Sequence, residues 1–103
     1  DAIVLTFVHL PAACRTAIHR RLAAALRPGG WLILEAFHPT QLGRSSGGPQ
    51  TLDMLYTAAQ LQADFAPLLR EKLAWEGEVT LDEGPGHRGP AQVTRWLGQR
   101  APD

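Results

Sequence analysis

The residues of this sequence that are suited to acid–base chemistry stand directly after the segments that are predicted to be strands. They are three histidines and one glutamate: His9, His38, His87 and Glu83. An imidazole titrates near neutral pH and a carboxylate accepts protons, so this set suits general acid–base catalysis. Each residue also has a plainer interpretation, as a turn residue or a solvated loop side chain, and that alternative stays open for all four.

The direction of the strands decides whether these residues meet. The three strands that precede them are predicted at residues 2–8, 31–37 and 73–82. In open α/β sheets, ligands bind beyond the carboxyl ends of parallel strands. If the three strands run parallel, their loops converge on one edge of the sheet and the four side chains line it. We predict no metal site there, because the residues lack the local spacing of an HxxxH or CxxC motif.

The first strand leads into a predicted helix. Residues 2–8 (AIVLTFV) are a near-continuous run of β-formers, which is typical of a buried strand. Pro11 suits the first turn of a helix, because its missing N–H does no harm there. Residues 12–26 then show helical spacing, with Arg15, Arg20 and Arg21 able to point to water. The predicted apolar face of this helix consists of Cys14, Ile18, Leu22 and Leu26.

A tight turn and a second strand follow the helix. Pro28 fixes φ for the first turn position, and Gly29 or Gly30 supplies the positive φ that the next position needs. The run WLIL at 31–34 is apolar without alternation, which predicts a strand covered on both faces, as parallel strands usually are. The first 37 residues therefore predict a right-handed βαβ unit.

The remaining chain predicts a loop, a short helix and a hairpin. Residues 38–56 are polar and rich in Gly, Ser and Pro, which indicates either a lid or binding loop or a disordered tether. Thr57 and Gln60 match a capping box for a helix over 57–68, with Leu61 and Phe65 on its apolar side. Within 69–100, the segment 73–82 alternates as an edge strand with one wet face, and a turn at 83–90 leads back into a strand at 91–97.

Length, charge and cysteine content exclude several classes of function. The chain has 103 residues, enough for one small α/β domain, and its formal net charge is zero without a block of like charges. A nucleic-acid groove and an anionic membrane surface are therefore not indicated, and no apolar run approaches the ~20 residues of a membrane span. Cys14 is the single cysteine, which is compatible with a reducing, cytoplasmic setting. Because the sequence opens on a core strand, we expect a piece of a longer protein whose missing part precedes Asp1.

Three stretches of the sequence resemble one family. DAIVLTFVHLP and LRPGGWLILEAF flank a helix that contains Arg20-Arg21-Leu22. Together they look like the second half of class I S-adenosylmethionine-dependent methyltransferases, in which an LkPGG turn leads into the fifth strand. LDEGPGHRGPA at 81–91 resembles the EG..H.G.A hairpin of the type 11/12 subgroup, which is similar to tellurite-resistance and thiopurine methyltransferases.

The resemblance implies a fold and a set of site residues. Residues 1–103 would form the C-terminal part of one Rossmann-like methyltransferase domain, with a βαβ unit at 1–37, a loop or lid at 38–56, a helix at 57–68 and a hairpin at 69–100. They would supply strands four to seven of a seven-stranded sheet, whose reversed seventh strand inserts antiparallel between the fifth and the sixth. The implied cofactor is S-adenosylmethionine, with Thr6, Phe7, Val8, His9 and Leu10 as the remaining cofactor wall. The implied acceptor side holds His38, Glu83 and His87, and the candidate bases are His9 first and His87 second.

The resemblance also has a gap. The glycine-rich loop and the acidic residue with which the family holds its cofactor would both precede Asp1. The intact parent is therefore expected to be an enzyme, whereas the piece alone should neither bind the cofactor well nor turn over. The sequence does not identify the methyl acceptor, although a small molecule is favoured over a protein.

Two alternatives remain open. One is a non-catalytic half-domain that acts as an assembly or scaffold module. Without earlier strands, the edge at 2–8 would be unpaired and apolar, and such an edge tends to pair with another chain, so we expect a homodimer or a higher assembly. The other is a different nucleotide-binding enzyme, such as a nicotinamide-dependent reductase, which would need a glycine fingerprint upstream.

Overall fold

The computed structural model describes residues 1–44, 47–49, 51–82, 84 and 88–102. Over these ranges the chain forms an α/β fold, with one mixed four-stranded sheet and helices packed on it. The elements are β1 (Ala2–Thr6), α1 (Ala12–Ala25), β2 (Trp31–Phe37), α2 (Ala58–Phe65), β3 (Leu69–Asp82) and β4 (Arg88–Arg100). Two single turns of 3-10 helix, Pro39–Gln41 and Leu52–Met54, lie in the loop between β2 and α2. No helix in the described ranges is long and apolar enough to cross a membrane.

The strand order places the last strand inside the sheet. The order is β1-β2-β4-β3, and β1 pairs with β2 in parallel. β4 pairs antiparallel with β2 on one side and with β3 on the other. β3 therefore runs in the same direction as β1 and β2. This insertion of β4 is the arrangement that the resemblance implies for the final strand.

The turn before β2 has the predicted chemistry. Gly29 adopts a φ of 82°, which an L-residue rarely tolerates. Its N–H donates to the carbonyl oxygens of Arg100 at 3.0 Å and Ala101 at 3.1 Å. A Cβ on Gly30 would lie 2.9 Å from the carbonyl oxygen of Arg27, so this position also excludes a side chain. The turn thus ties the start of β2 to the end of β4.

Both helices pack against one face of the sheet. A single cluster of buried side chains joins them to it: Ala23, Leu26, Leu32, Leu34, Ala36, Tyr56, Leu61, Phe65, Leu69 and Trp96. The predicted apolar side of α2, Leu61 and Phe65, is confirmed. The predicted face of α1 is only partly right. His19 and Ala23 are its buried residues, whereas Cys14, Ile18 and Leu22 are half-buried, because α1 turns His19 rather than its aliphatic side chains toward α2.

The other face of the sheet corrects two predictions. We expected β2 to be covered on both faces, yet Ile33 is 45% exposed. We expected the apolar side of β3 to be buried, yet Leu73 is 49% exposed and Trp75 is 41% exposed. The physical reason is that both helices lie on the opposite face. On this face the buried side chains that the structure describes form only a small second cluster, in which the loop residue Leu55 packs with residues of β2, β3 and β4: Phe37, Leu55, Leu81, Ala91 and Val93.

Strand ends differ from the predicted ones. β1 stops at Thr6 instead of residue 8, because Phe7 takes a φ of 54° that no strand residue can have. β3 begins at Leu69, four residues before the predicted position 73, and β4 spans Arg88–Arg100 rather than 91–97. The added residues are largely polar, so the sequence shows no apolar pattern there. They are strand residues because β3 and β4 pair with each other along this length.

The capping box of α2 gives a first prediction. Thr57 Oγ1 accepts from the N–H of Gln60 at 3.1 Å, and Gln60 Oε1 accepts from the N–H of Thr57 at 3.0 Å. Thr57→Ala should therefore lower the free energy of unfolding by about 1 kcal/mol, measured by urea denaturation. Thr51→Ala is the matched control, because Thr51 precedes a 3-10 turn without a capping bond. Equal effects of the two substitutions would contradict the capping role.

Candidate functional site

The carboxyl ends of β1, β2 and β3 lie at one edge of the sheet, since the three strands run in the same direction. We call this the carboxyl edge: residues 6–10, 37–41 and 82. The strand directions that were needed to bring the candidate loops together are therefore present. Two of the predicted site residues, Glu83 and His87, lie outside the described residues.

Phe7 ends β1 in a strained conformation. Its φ of 54° is rare for a bulky side chain and costs on the order of 1–3 kcal/mol. Its N–H donates to the Glu35 carbonyl oxygen at 2.7 Å, and its ring stacks on Phe37 with the centroids 4.6 Å apart. These contacts hold the strained residue in place, and the chain turns away from the strand direction within the predicted cofactor wall.

His9 joins three segments of the carboxyl edge. Its Nε2 accepts from the Phe37 N–H at 3.2 Å, which places the ring proton on Nδ1. Nδ1 donates to the carbonyl oxygen of Met54 at 2.5 Å. The ring also stacks on Phe37, with the centroids 5.6 Å apart. The lone pair that a general base would use is therefore already engaged by a backbone donor.

Tyr56 holds the chain that follows His9. Its hydroxyl accepts from the Leu10 N–H and donates to the Leu10 carbonyl oxygen at 3.1 Å. Burial raises the pKa of Tyr56 above its usual 10.0, so the phenol stays protonated and able to donate. Its own backbone is anchored in turn, with its N–H on the Phe37 carbonyl at 3.0 Å and its carbonyl accepting from Thr94 Oγ1 at 2.7 Å.

The five residues of the predicted cofactor wall divide into two groups. Thr6 and Val8 are exposed and Phe7 is half-buried, so their side chains can contact a ligand. His9 and the Leu10 backbone are instead occupied by the contacts just described. The side chains of this segment that remain accessible are therefore Thr6, Phe7 and Val8, of which two are apolar. Among the described residues, no group of three or more His, Cys, Asp or Glu side chains is placed to hold a metal ion.

His38 begins the loop over the carboxyl edge. Its Nδ1 accepts from the Thr40 N–H at 3.1 Å and caps the Pro39–Gln41 turn, while its Nε2 lies 3.4 Å from Glu76 Oε2. Gln41 is buried, and its Oε1 accepts from the Gln92 N–H at 2.8 Å. The first part of the loop is thus bonded to β3 and β4.

Sequence reasoning missed a buried polar cluster, which we define as Arg15, Thr16, His19 and Asp64. Asp64 Oδ2 accepts from Arg15 Nε and from His19 Nδ1, both at 2.8 Å, and Asp64 Oδ1 accepts from Thr16 Oγ1 at 2.8 Å. His19 is 0% exposed and Asp64 is 2% exposed. Arg15 was expected to point to water and instead binds this carboxylate. The available signal was an aspartate placed between Leu61 and Phe65 in an apolar helical stripe.

Burial and hydrogen bonds set the charges of the cluster. Burial lowers the pKa of His19 below its usual 6.5 and outweighs the attraction of Asp64, so the ring is neutral. Burial alone would raise the pKa of Asp64, but hydrogen bonds from Arg15, Thr16 and His19 hold it below the usual 3.8. The cluster therefore contains one ion pair and a neutral imidazole. His19 Nε2 is buried and has no hydrogen-bond partner in the described part of the chain.

These pKa shifts predict how stability depends on pH. Because the pKa of His19 is lower in the folded chain, the unfolded chain binds this proton first. The stability that neutral His19 provides is present above pH 6.5 and is lost as the pH falls from 6.5 through the folded pKa. A further loss begins below pH 3.8, as the pH approaches the lower folded pKa of Asp64.

The measurement is urea denaturation at about pH 7.5 and about pH 5. His19→Phe keeps a flat aromatic ring between Tyr56 and Phe65 but removes the titrating group. The fall in stability between the two pH values should be smaller in this variant than in the parent chain. An equal fall in both proteins would contradict the role of His19.

Comparison with known proteins identifies the fold. No family model matches the sequence, and no curated protein matches it. The chain is similar to a protein whose solved structure is described as "Conversion of a Disulfide Bond into a Thioacetal Group during Echinomycin Biosynthesis". The TM-score is 0.72 at 12% sequence identity, over 100% of this chain and 50% of that chain. The two proteins share a fold, and this chain spans half the length of that protein.

Proposed function

We propose that the chain is the acceptor-side half of a class I S-adenosylmethionine-dependent methyltransferase. The observation that carries this proposal is the insertion of β4 antiparallel between β2 and β3. The resemblance in the PGG turn and the hairpin implies that arrangement for the seventh strand. The fold shared with a protein studied in echinomycin biosynthesis, where a disulfide is converted into a thioacetal, adds support from outside the sequence.

The carboxyl edge would perform two tasks in this function. When bound, S-adenosylmethionine supplies a methyl group on a positive sulfonium, which makes alignment of the acceptor the main task of the protein. Thr6, Phe7 and Val8 would contact the cofactor. His38, Glu83 and His87 belong to the proposed acceptor side, which would take a small molecule.

His9 has a narrower role in this proposal than a free base. Its ring connects Phe37 to Met54 and so holds the wall in position. His9 could accept a proton on Nε2 only after the hydrogen bond from the Phe37 N–H to Nε2 had broken. A positioning role predicts that His9→Gln in an active longer protein raises KM for the cofactor without moving the pH profile of kcat. A base predicts the loss of the alkaline plateau of kcat.

Binding to the chain itself tests the proposal. S-adenosylmethionine is titrated into isotope-labelled chain up to about 5 mM, a range that detects millimolar affinity. We expect the amide signals of Thr6, Phe7 and Val8 to shift. Val8→Lys should abolish the shifts, and Leu42→Lys is the matched control, because both side chains are 43% exposed and apolar. Absence of shifts at the wall would contradict the proposal.

A second candidate is an assembly module without catalysis. The outer edge of β1 has no paired strand among the described residues, and Val4 on this strand is 61% exposed. Such an edge can add a strand from another copy. Assembly through it should slow hydrogen exchange of the outward amides of Ala2–Thr6 as the concentration rises. Exchange that is independent of concentration would count against this candidate.

A further inference from the structure

The loop between β2 and α2 ends in a segment that is bonded to the chain between β1 and α1. We call this segment, residues 53–56, the latch. It binds residues 9–12, which include the end of the predicted cofactor wall. The hydrogen-bonded pairs are His9 with Met54, Leu10 with Tyr56, and Ala12 with Asp53. The latch thus connects two parts of the carboxyl edge that lie more than forty positions apart in the chain.

Leu10 depends on the latch for both polar groups of its backbone. The Tyr56 hydroxyl accepts from the Leu10 N–H and donates to the Leu10 carbonyl oxygen at 3.1 Å. One hydroxyl can make both bonds, because it is a donor and an acceptor at once. Tyr56 is 0% exposed, so water does not compete for this hydroxyl. Because a backbone group that leaves water needs a partner, the position of Leu10 follows that of Tyr56.

The latch also completes the first turn of α1. The residue before this helix is Pro11, and its side chain makes no capping hydrogen bond. The first N–H groups of a helix have no partner within the helix. Asp53 Oδ2 accepts from the Ala12 N–H at 3.2 Å and brings a negative charge to the positive end of the helix. The latch therefore provides a cap that the local sequence lacks.

In the part of the chain that the structure describes, the strand pairing of β1 stops before the wall does. The last register pair of β1 and β2 joins Thr6 to Glu35, and Phe7 then turns the chain out of the strand. The following residues of the wall are held by contacts with Phe37 and with the latch. The shape of the wall is thus set by other segments as well as by its own strand.

The latch is itself fixed to the central strands of the sheet. The Tyr56 N–H donates to the Phe37 carbonyl oxygen at 3.0 Å, and the Tyr56 carbonyl oxygen accepts from Thr94 Oγ1 at 2.7 Å. Leu55 is 1% exposed and packs in the same cluster as Phe37. The latch therefore transmits the position of β2 and β4 to the end of the wall, and a displaced wall would pull on the loop.

We propose that the latch couples the cofactor side of the site to the acceptor side, with Tyr56 as the positioning residue. This inference rests on the proposed function, in which residues 6–10 face the cofactor and the loop that begins at His38 faces the acceptor. The latch belongs to that loop, yet it holds the end of the cofactor wall.

The coupling has a direction that follows from linkage. A cofactor that binds the latched wall stabilises the loop, and the latched loop strengthens cofactor binding by the same factor. S-adenosylmethionine is then expected to bind first and to fix the acceptor side before the acceptor arrives.

Hydrogen exchange of single amides without ligand tests the positioning role. Tyr56→Phe keeps the ring and the backbone bonds but removes the hydroxyl, so the Leu10 N–H loses its acceptor. Exchange of the Leu10 amide with water, measured by NMR, should become at least about tenfold faster. The amides of β4 in the same sample report global unfolding, and the change at Leu10 is counted relative to them. An equal change at Leu10 and in β4 is a general loss of stability and overturns the positioning role.

Thr16→Val is the matched control for the loss of a hydroxyl. Thr16 Oγ1 donates to Asp64 Oδ1 at 2.8 Å, so this variant also removes a partly buried hydrogen bond of α1. It should lower the free energy of unfolding without a selective effect at Leu10. A selective effect as large as that of Tyr56→Phe would mean that any loosening of α1 reaches the wall, and it would overturn the specific role of Tyr56.

Asp53→Ala tests the latch at a second point, on an exposed side chain whose replacement leaves the core intact. Exchange of the Ala12 amide should become roughly threefold faster. Asp53→Asn should restore most of the parental rate, because its amide oxygen still accepts from the Ala12 N–H. Asp1→Ala is the matched control, since Asp1 is an exposed acid that pairs with Arg27. An Ala12 rate that stays at the parental value in Asp53→Ala contradicts the latch.

The cofactor itself tests the coupling. With S-adenosylmethionine at up to about 5 mM, exchange of the Leu55 and Tyr56 amides in the parent chain should slow, although both belong to the loop. Tyr56→Phe should raise the Kd at least about fivefold. Thr16→Val should leave the Kd unchanged.

The two measurements separate this inference from the proposed function. Wall signals that shift with the same Kd in the parent chain and in Tyr56→Phe overturn the coupling and leave the proposed function standing. Loop amides that keep their exchange rates while the wall signals shift do the same. If the cofactor moves no wall signal of the parent chain, the proposed function fails and the coupling fails with it. The ligand-free exchange then still decides whether Tyr56 positions residues 9–12.

Discussion

Replacing Asp64 by alanine is expected to lower the free energy of unfolding by about 3–5 kcal/mol. The carboxylate is 2% exposed and accepts hydrogen bonds from Arg15, Thr16 and His19. Its loss leaves a guanidinium, a hydroxyl and a buried imidazole without their acceptor. The charge of Arg15 would then be poorly compensated, because its side chain is only 12% exposed. The cost thus comes mainly from the groups that remain.

Urea denaturation near neutral pH measures this loss. Asp82→Ala is the matched control, because its side chain is 91% exposed and lies 3.9 Å from Arg88. Exposed pairs of this kind contribute about 0–1 kcal/mol. If Asp64→Ala costs no more than Asp82→Ala, the buried polar cluster does not hold α1 to α2. Asp64→Asn adds a second comparison, since it keeps the shape and removes the charge.

Phe37→Ala is expected to cost about 3–5 kcal/mol and to loosen the carboxyl edge as well. Phe37 is 1% exposed, and its ring stacks on Phe7 and His9. A Cβ on Gly48 would lie 2.7 Å from this ring, so the loop also rests directly on it. Removal of the ring would leave a cavity where strained Phe7 now finds its support.

The local effect separates this prediction from a general loss of stability. Phe65→Ala removes the same ring from the helix-covered cluster, where Phe65 stacks on Trp96 at 4.9 Å, and should cost a similar amount. NMR signals of the His9 ring should move in Phe37→Ala and stay in place in Phe65→Ala. Signals that respond alike in both variants would contradict the separate role of Phe37.

Short-range chemistry made much of the fold predictable from sequence. Pro11 and the capping pair Thr57 and Gln60 mark helix starts through contacts within four residues. Pro28 and Gly29 define a turn through φ alone. These features depend on neighbours in the chain, and the structure has them where the sequence predicts them.

Longer-range contacts account for what the sequence did not reveal. The cluster around Asp64 joins residues 45 to 49 positions apart in the chain. The residues next to Arg15 or His19 in the sequence therefore do not indicate that either side chain binds a carboxylate. The same is true of His9, whose partners Phe37 and Met54 lie 28 and 45 positions away. The type of His9 suggested acid–base chemistry, and only the fold shows that both ring nitrogens are already engaged.

The position of β4 also governs the order in which the protein can form. β2 pairs with β4 over its whole length, from Trp31 with Gln99 to Phe37 with Val93, and β3 depends on the same strand. A chain that emerges from the ribosome from its amino terminus therefore exposes one side of β2 until some sixty further residues have followed. Such long-range strand pairing forms slowly, and until it forms the unpaired strand edges can associate with other chains. Newly made chains should thus rely on a chaperone or on rapid completion, and truncation before β4 should yield aggregate rather than a smaller folded unit.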